Sequence, residues 1–231
     1  MPPRPRRSER RTDALSRQRI VEAAVELLDA AGEGGLTFRA LTQRLATGHG
    51  AIYWHVANKG ELLDAATDAV VSAALATEPA GAPPEAVRAV ALALFDVIDE
   101  HPWLAPQLAA QLAGRSWQQP IPRIVERIGA PVRALGGPEA GWFTATSALM
   151  HYILGAAGQN AANAASVRAL APGATRSGFL DAAARGWEAL DPAEYPFTRA
   201  VADQVRDHDD RAQFLAGVDL ILAGIGVVDA R

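Results

Sequence analysis

Cysteine is absent from all 231 residues, which rules out disulfides, thiolate nucleophiles and thiolate zinc sites and fits a reducing cytoplasm. Lysine occurs once, as Lys59. Long hydrophobic runs are also missing: the longest, "LAGVDLILAGIGVV", is interrupted by Asp219 and is too short to span a bilayer. The N-terminus, "MPPRPRRSERR", is basic but leads into no apolar signal core, so no membrane partner is expected. The five histidines are scattered, with no His-Glu-x-x-His pattern and no phosphate-cradling glycine loop, so no paired nucleophile and base is in view. The expectation is a non-enzyme without cofactor or metal. Two clusters that invite a metal or catalytic reading have plainer ones. "DHDD" at 207–210 suits a helix start, with Asp210 and Gln213 as a capping arrangement, and "HPW" at 101–103 marks a helix junction at Pro102.

What is present describes an ordinary globular chain, 49% hydrophobic and 21% charged. Its net charge of −4 hides an asymmetry: residues 1–60 hold ten Lys/Arg against six Asp/Glu, leaving 12 against 20 for the remainder. A basic head on an acidic body predicts a polyanion at one end only. Residues 1–14, rich in arginine and proline, read as a disordered basic arm, which fits either a polyanion or a solvated tail.

Beyond the arm the pattern is helical. Ser16 is a good N-cap, Leu15 can staple onto Ile20, and Ile20, Ala23, Ala24, Leu27 and Leu28 repeat at helical spacing before Gly32 offers a stop. Thr37 caps a short second helix carrying Leu41 and Leu45, a Thr-Gly pair turns the chain, and a third short helix runs from His49 to Val56. Two short helices joined through a glycine-containing turn have the build of a helix-turn-helix, whose second member enters the DNA major groove. Asn58 and Glu61 then open a long helix in the manner of a capping box. Further helices are expected near 85–100, 103–113, 120–135, 139–165, 175–190, 193–205 and 209–226, and period-two alternation never persists, so the chain reads as all-α.

The stretch "GAIYWHVANKGELL" carries the chemistry. With Ile52 and Val56 inward, Gly50, Ala51 and Trp54 fall on the opposite side and His49, Tyr53 and His55 flank it. Small residues let the backbone approach a groove, while ring-borne hydroxyl and imidazole groups bond phosphate and their carbon skeletons cover sugar or a thymine methyl. Arg39 and Arg44 lie on the second helix. Lys59, in the first turn of a helix where a cation opposes the macrodipole, reads as a phosphate clamp together with the free N–H groups there.

The run "LSRQRIVEAAVELLDAAGEGGLTFRALTQRLATGHGAIYWHVANKGELLDAA" resembles the N-terminal DNA-binding domain of TetR-family transcriptional regulators, and "YWHV", "NK" and "LLDA" look especially like the tetracycline repressors. The resemblance implies a homodimeric repressor with a helix-turn-helix head, about residues 15–62, and a ligand-sensing, dimerising helical body, about 63–231. It implies DNA contacts by Thr37, Phe38, Arg39, His49, Gly50, Ala51, Tyr53, Trp54, His55 and Lys59. At "HGA" the chain departs from the Gln-Pro-Thr with which tetracycline repressors read bases, so its double-stranded operator should differ.

In the body, "FLAGVDLILAGI" is apolar almost all round and looks like the family's terminal dimerisation helix, although a central place in a monomer would bury it equally well. Trp103, Trp117, Phe143, His151, Gln159 and Asn160 form the ring-and-amide mixture that lines a pocket for a small hydrophobic or aromatic effector. Each also suits a core or dimer-seam position. A rival reading is a helical interaction module whose basic arm binds nucleic acid without sequence preference.

Overall fold

The computed structural model describes residues 15–115, 119–168 and 175–228, and among them every regular element is a helix. The basic arm and Trp117 lie outside the described residues. Three helices build the head: α1 (Arg17–Gly35), α2 (Phe38–Arg44) and α3 (His49–Tyr53). Ser16 and Thr37 cap the first two, accepting from the backbone N–H of Arg19 at 3.2 Å and of Ala40 at 3.1 Å. Gly32 does not stop α1: it takes a left-handed φ of 62°, kinks the helix, and a further turn follows to Gly35. Glycine supplies that φ without a Cβ penalty.

α4 (Lys59–Ala74) belongs to head and body alike. Asn58 caps it, accepting from the N–H of Glu61 at 2.9 Å, and Glu61 reaches back to the N–H of Ala57 at 2.8 Å. Its first turns bury Leu62, Leu63 and Ala66 with Ile20, Ala24, Leu41 and Ile52 of the head. Its last turns bury Val70 and Val71 in the same continuous apolar cluster as Val87, Val90, Leu94 and Ile98 of α5 (Pro83–Glu100). The expected boundary after residue 62 therefore falls inside one unbroken helix.

The body continues with α6 (Leu104–Ala110), a π-helical turn at Gln111–Arg115, α7 (Ile121–Ala134) and α8 (Glu139–Arg168). The π turn ends the expected 103–113 helix early, and within it Gly114 is left-handed, with φ 103°. α5 and α8 form the centre, packed on each other and on α7, while α12 (Asp210–Val228) lies along both. α9 (Arg176–Glu188), α10 (Pro196–Ala200) and α11 (Ala202–Arg206) make a side layer, in which the expected 193–205 helix is two short ones. The cap of α12 is Asp209, accepting from the N–H of Ala212 at 2.9 Å, and not Asp210, which pairs with Arg176 and His208.

α8 and α12 run antiparallel at very close range. The Tyr152 hydroxyl donates to the carbonyl of Phe214 at 3.1 Å, the two rings stack with centroids 5.9 Å apart, and Gly217 lies directly beneath Tyr152. Burial pushes the Tyr152 phenol above its ordinary range. Among the described residues no helix is long and apolar enough to cross a membrane.

Candidate DNA interface and effector cavity

The turn between α2 and α3 fixes how α3 is presented. The N–H of Thr47 donates to the carbonyl of Thr42 at 3.1 Å and that of Ala46 to Gln43 at 3.4 Å, the bonding of a Schellman motif. Its left-handed residue is Ala46, with φ 49°; Gly48, expected from the Thr-Gly pair to turn the chain, is instead the extended residue before α3. Ile52 and Val56 are buried, so the turn points the rest of α3 outward.

The outward residues include large rings. Trp54 is 89% exposed and Tyr53 52% exposed, a costly arrangement in water that suits a partner surface. Tyr53 stacks on Phe38 of α2, with centroids 4.6 Å apart and planes 16° from parallel. Phe38 is half-buried, so it props the tyrosine ring rather than standing free. Thr37, Arg39, His49 and Gly50 are exposed beside them, while Ala51 and His55 are half-buried. The helix expected to reach Val56 ends at Tyr53, so the ten residues expected to meet DNA lie on α2 and its cap, α3, the turn at Trp54 and His55, and the start of α4, with the Thr37 hydroxyl already used as a cap.

The cations of the head are mostly tethered. Arg17 donates to the Glu61 carboxylate at 2.8 Å and to the carbonyl of His55 at 2.9 Å, and Arg44 to Glu26 at 2.7 Å. Lys59 donates to the carbonyl of Glu33 at 2.7 Å and lies 3.6 Å from its carboxylate. This resolves the electrostatic oddity of a lysine in the first turn of α4, because its ammonium sits at the C-terminal end of α1, where a helix dipole favours positive charge. Arg39 forms no ion pair among the described residues. The N–H of Ala57, followed by Arg17, holds the Glu61 carboxyl below its ordinary value.

The residues expected to share one effector pocket are dispersed. Trp103 is buried at the joint between head and body, where its indole N–H donates to Asp29 of α1 at 2.6 Å and His101 meets the same oxygen at 2.7 Å. A side chain so engaged lines no cavity. Gln159 is exposed and bonds Asn163 on its own helix at 2.9 Å. Asn160 bonds Asp99 at 3.3 Å and borders a polar hollow of about 600 Å³, ringed by the Arg176–Asp210 and Arg211–Asp96 pairs.

Phe143 and His151 do meet, on a cavity of about 580 Å³ between α7 and α8. Leu112, Val125, Trp142, Phe143 and Met150 give it apolar walls, and Thr146, Ser147, His151, Glu126 and Arg133 add polar groups. That size and mixture fit a drug-sized molecule. Helical spacing marked the apolar face of α8, but pairing it with the Val125, Gly129, Arg133 stripe required knowing that α7 folds back onto it. A second, drier groove of about 420 Å³ lies between α8 and α12, bordered by Trp142, Ala145, Ala148, Ile221 and Ile225, with Leu220 of α12 75% exposed.

Comparison with known proteins decides what such a pair of features belongs to. A model of bacterial regulatory proteins of the tetR family matches residues 20–66. A transcriptional regulator from Streptomyces coelicolor, described as a TetR, is 62% identical and superposes with a TM-score of 0.85 over 94% of this chain and 100% of its own. This chain belongs to the TetR family. It is accordingly a transcriptional regulator with a helix-turn-helix head and a larger helical body.

Other likenesses differ in how much of the chain they cover. The tetracycline repressor of class D from Escherichia coli is 49% identical over 51 residues, 22% of this chain and 23% of the repressor. An HTH-type transcriptional regulator from Saccharopolyspora erythraea is 33% identical over 157 residues, 66% of this chain and 64% of its own length. The chain thus spans less than two thirds of these curated relatives. The TetR family protein ActR of Streptomyces coelicolor, solved with actinorhodin bound, has a TM-score of 0.76 at 26% identity, over 93% of this chain and 97% of its own.

Proposed function

We propose that this chain is a homodimeric, ligand-responsive transcriptional repressor of the cytoplasm, which holds a palindromic operator through two copies of α3 and releases it when a small molecule fills the body. The observation that carries the reading is Tyr53 and Trp54 standing exposed at the end of α3, while Ile52 and Val56 fix the segment to the core. Two such helices about 34–36 Å apart enter successive major grooves. The apolar groove between α8 and α12, with Leu220 protruding, supplies the surface on which a second copy would bury that spacing into the structure.

Coupling has a short physical route. Leu112 borders the α7–α8 cavity, and its neighbour Gln111 donates to Asp64 of α4 at 2.9 Å. Any ligand that moves the 111–115 turn pulls on α4 at Asp64, about one turn beyond Lys59 and Glu61, which hold the start of α4 against α1. The ligand's leverage equals its differential affinity for the two spacings and no more. ActR, whose structure holds actinorhodin, supports a small-molecule effector in the body.

Mobility shifts on duplexes selected from the parent genome and on random duplexes, across a salt series, test the reading. About eight phosphate contacts per dimer give a log–log salt slope near −7 for both kinds of DNA. A regulator keeps a preference for selected sites of about a thousandfold or more. Equal binding to both would favour a helical module that holds nucleic acid without sequence preference.

A further inference from the structure

The α7–α8 cavity carries more information than its size. α7 and α8 are joined by a short turn and lie side by side, so the order of lining residues reverses across the gap. Arg133 of α7 therefore stands at the end where Trp142 and Phe143 of α8 lie, and Glu126 stands at the end of Met150 and His151. Between those ends the α7 wall is only Gly129 and Ala130, facing Thr146. Small residues opposite aromatic and thioether side chains leave a flat slot. Its length is set by the seven-residue step from Glu126 to Arg133, about 10 Å along the helix.

Three polar groups in this slot lack partners. Thr146 is 94% buried, since only 6% of its surface is exposed, yet its hydroxyl makes no hydrogen bond, not even the one to its own helix that threonine usually finds. Arg133 and His151, both exposed at the mouth of the slot, form no ion pair or hydrogen bond among the described residues either. The Thr146 hydroxyl opens on the cavity beside an uncommitted guanidinium, and together they offer donors to an acceptor. Guanidinium geometry selects a carboxylate, which it can hold through two parallel bonds. At the far end the Glu126 carboxylate accepts and the His151 ring donates or accepts, which suits a hydroxyl.

Resting on the effector-binding reading above, the geometry points to a planar aromatic acid as the ligand class: a fused-ring carboxylate held by Arg133, bearing a phenolic hydroxyl at the Glu126 and His151 end, with the Thr146 hydroxyl donating to an oxygen on the ring system between them. The cavity thus discriminates by charge and not only by shape.

Calorimetric titration of the full chain without DNA tests this, using 6-hydroxy-2-naphthoate and its neutral analogue 6-(hydroxymethyl)-2-naphthol. The acid should bind at least about tenfold tighter, a preference that charge-assisted bonds supply. Arg133→Gln should bring the two dissociation constants together without changing the neutral compound's. Thr146→Val should weaken both acid and neutral binding severalfold while raising the melting temperature of the free protein, a combination that a merely structural threonine would not give. Equal or tighter binding of the neutral compound, binding of neither, or an acid preference that survives Arg133→Gln would overturn the assignment. Operator binding by the parent protein is measured separately: absence of a site preference there sinks the regulator reading and leaves the cavity result standing, and the converse also holds.

Discussion

In the head, α1, α2 and α4 each begin at a side-chain cap three residues away, Ser16, Thr37 and Asn58, while α3 follows Gly48 without one. In the body, α6 and α7 start without any capping side chain, although Glu85, Thr175 and Asp209 cap α5, α9 and α12, and the packing rests on apolar faces and pairs far apart in sequence, such as Arg88 with Asp219, 131 residues on. The head is thus specified by local rules that tolerate a freely chosen outer surface on α3. The body is specified by fit, so its cavity and its packing are made of the same residues. A family built this way can keep one head design and vary what the body senses, which matches the likeness to tetracycline repressors extending over only 51 to 58 residues.

The comparison can be broken most severely in the body. A Cβ at Gly217 would lie 1.9 Å from the Tyr152 hydroxyl, so Gly217→Val should cost about 3 kcal/mol in urea unfolding as α8 and α12 separate. A loss under about 0.5 kcal/mol would show that the body does not depend on this approach. Tyr53→Ala in the head should behave in the opposite way, weakening operator binding about 30-fold, or ~2 kcal/mol, with no change in the unfolding midpoint. Unfolding in step with lost binding would place that ring in the core and undo the orientation of α3.

At the joint, Asp29→Ala strands the buried indole N–H of Trp103 and should destabilise the chain by about 1.5 kcal/mol, seen as earlier melting. If head and body then melt separately in calorimetry, this carboxylate is what makes them one cooperative unit. Ala46→Gly relieves a left-handed alanine and should stabilise by about 0.5 kcal/mol, the increased freedom of the unfolded chain offsetting part of the gain. The smallest effect concerns Glu61, whose carboxyl is held below its ordinary value of 4.5. Its stabilisation is complete above that pH and is lost as pH falls through the lower folded value. Glu61→Gln should flatten the stability curve between about pH 5 and 3, by roughly 0.3 kcal/mol, because the side chain is well exposed and screened.

How much was legible in the sequence follows the same division. The caps Ser16, Thr37 and Asn58, the inward Ile52 and Val56 and the outward Tyr53 and Trp54 were readable, because each depends on residues within a turn or two. Gly32 misled because a glycine that can end a helix can also kink it. Lys59 found its partner 26 residues back, on a helix end that periodicity cannot locate. Trp103 read as a pocket residue for the same reason: its role depends on Asp29, brought to it by the joint between two halves. Phe143 and His151 do share a cavity, yet Thr146 and Arg133, its most informative residues, carry no motif and acquire meaning only when α7 is laid against α8.

The unbroken course of α4 from Lys59 to Ala74 has a consequence for anyone who would splice this head onto another body. Such a graft must conserve rotational phase as well as sequence. One added residue would swing the reading surface by about 100° about the shaft. Seven would bring it back to within about 20°, while lifting it roughly 10 Å. Compatible fusions should therefore recur at intervals of whole turns, as teeth on a gear do.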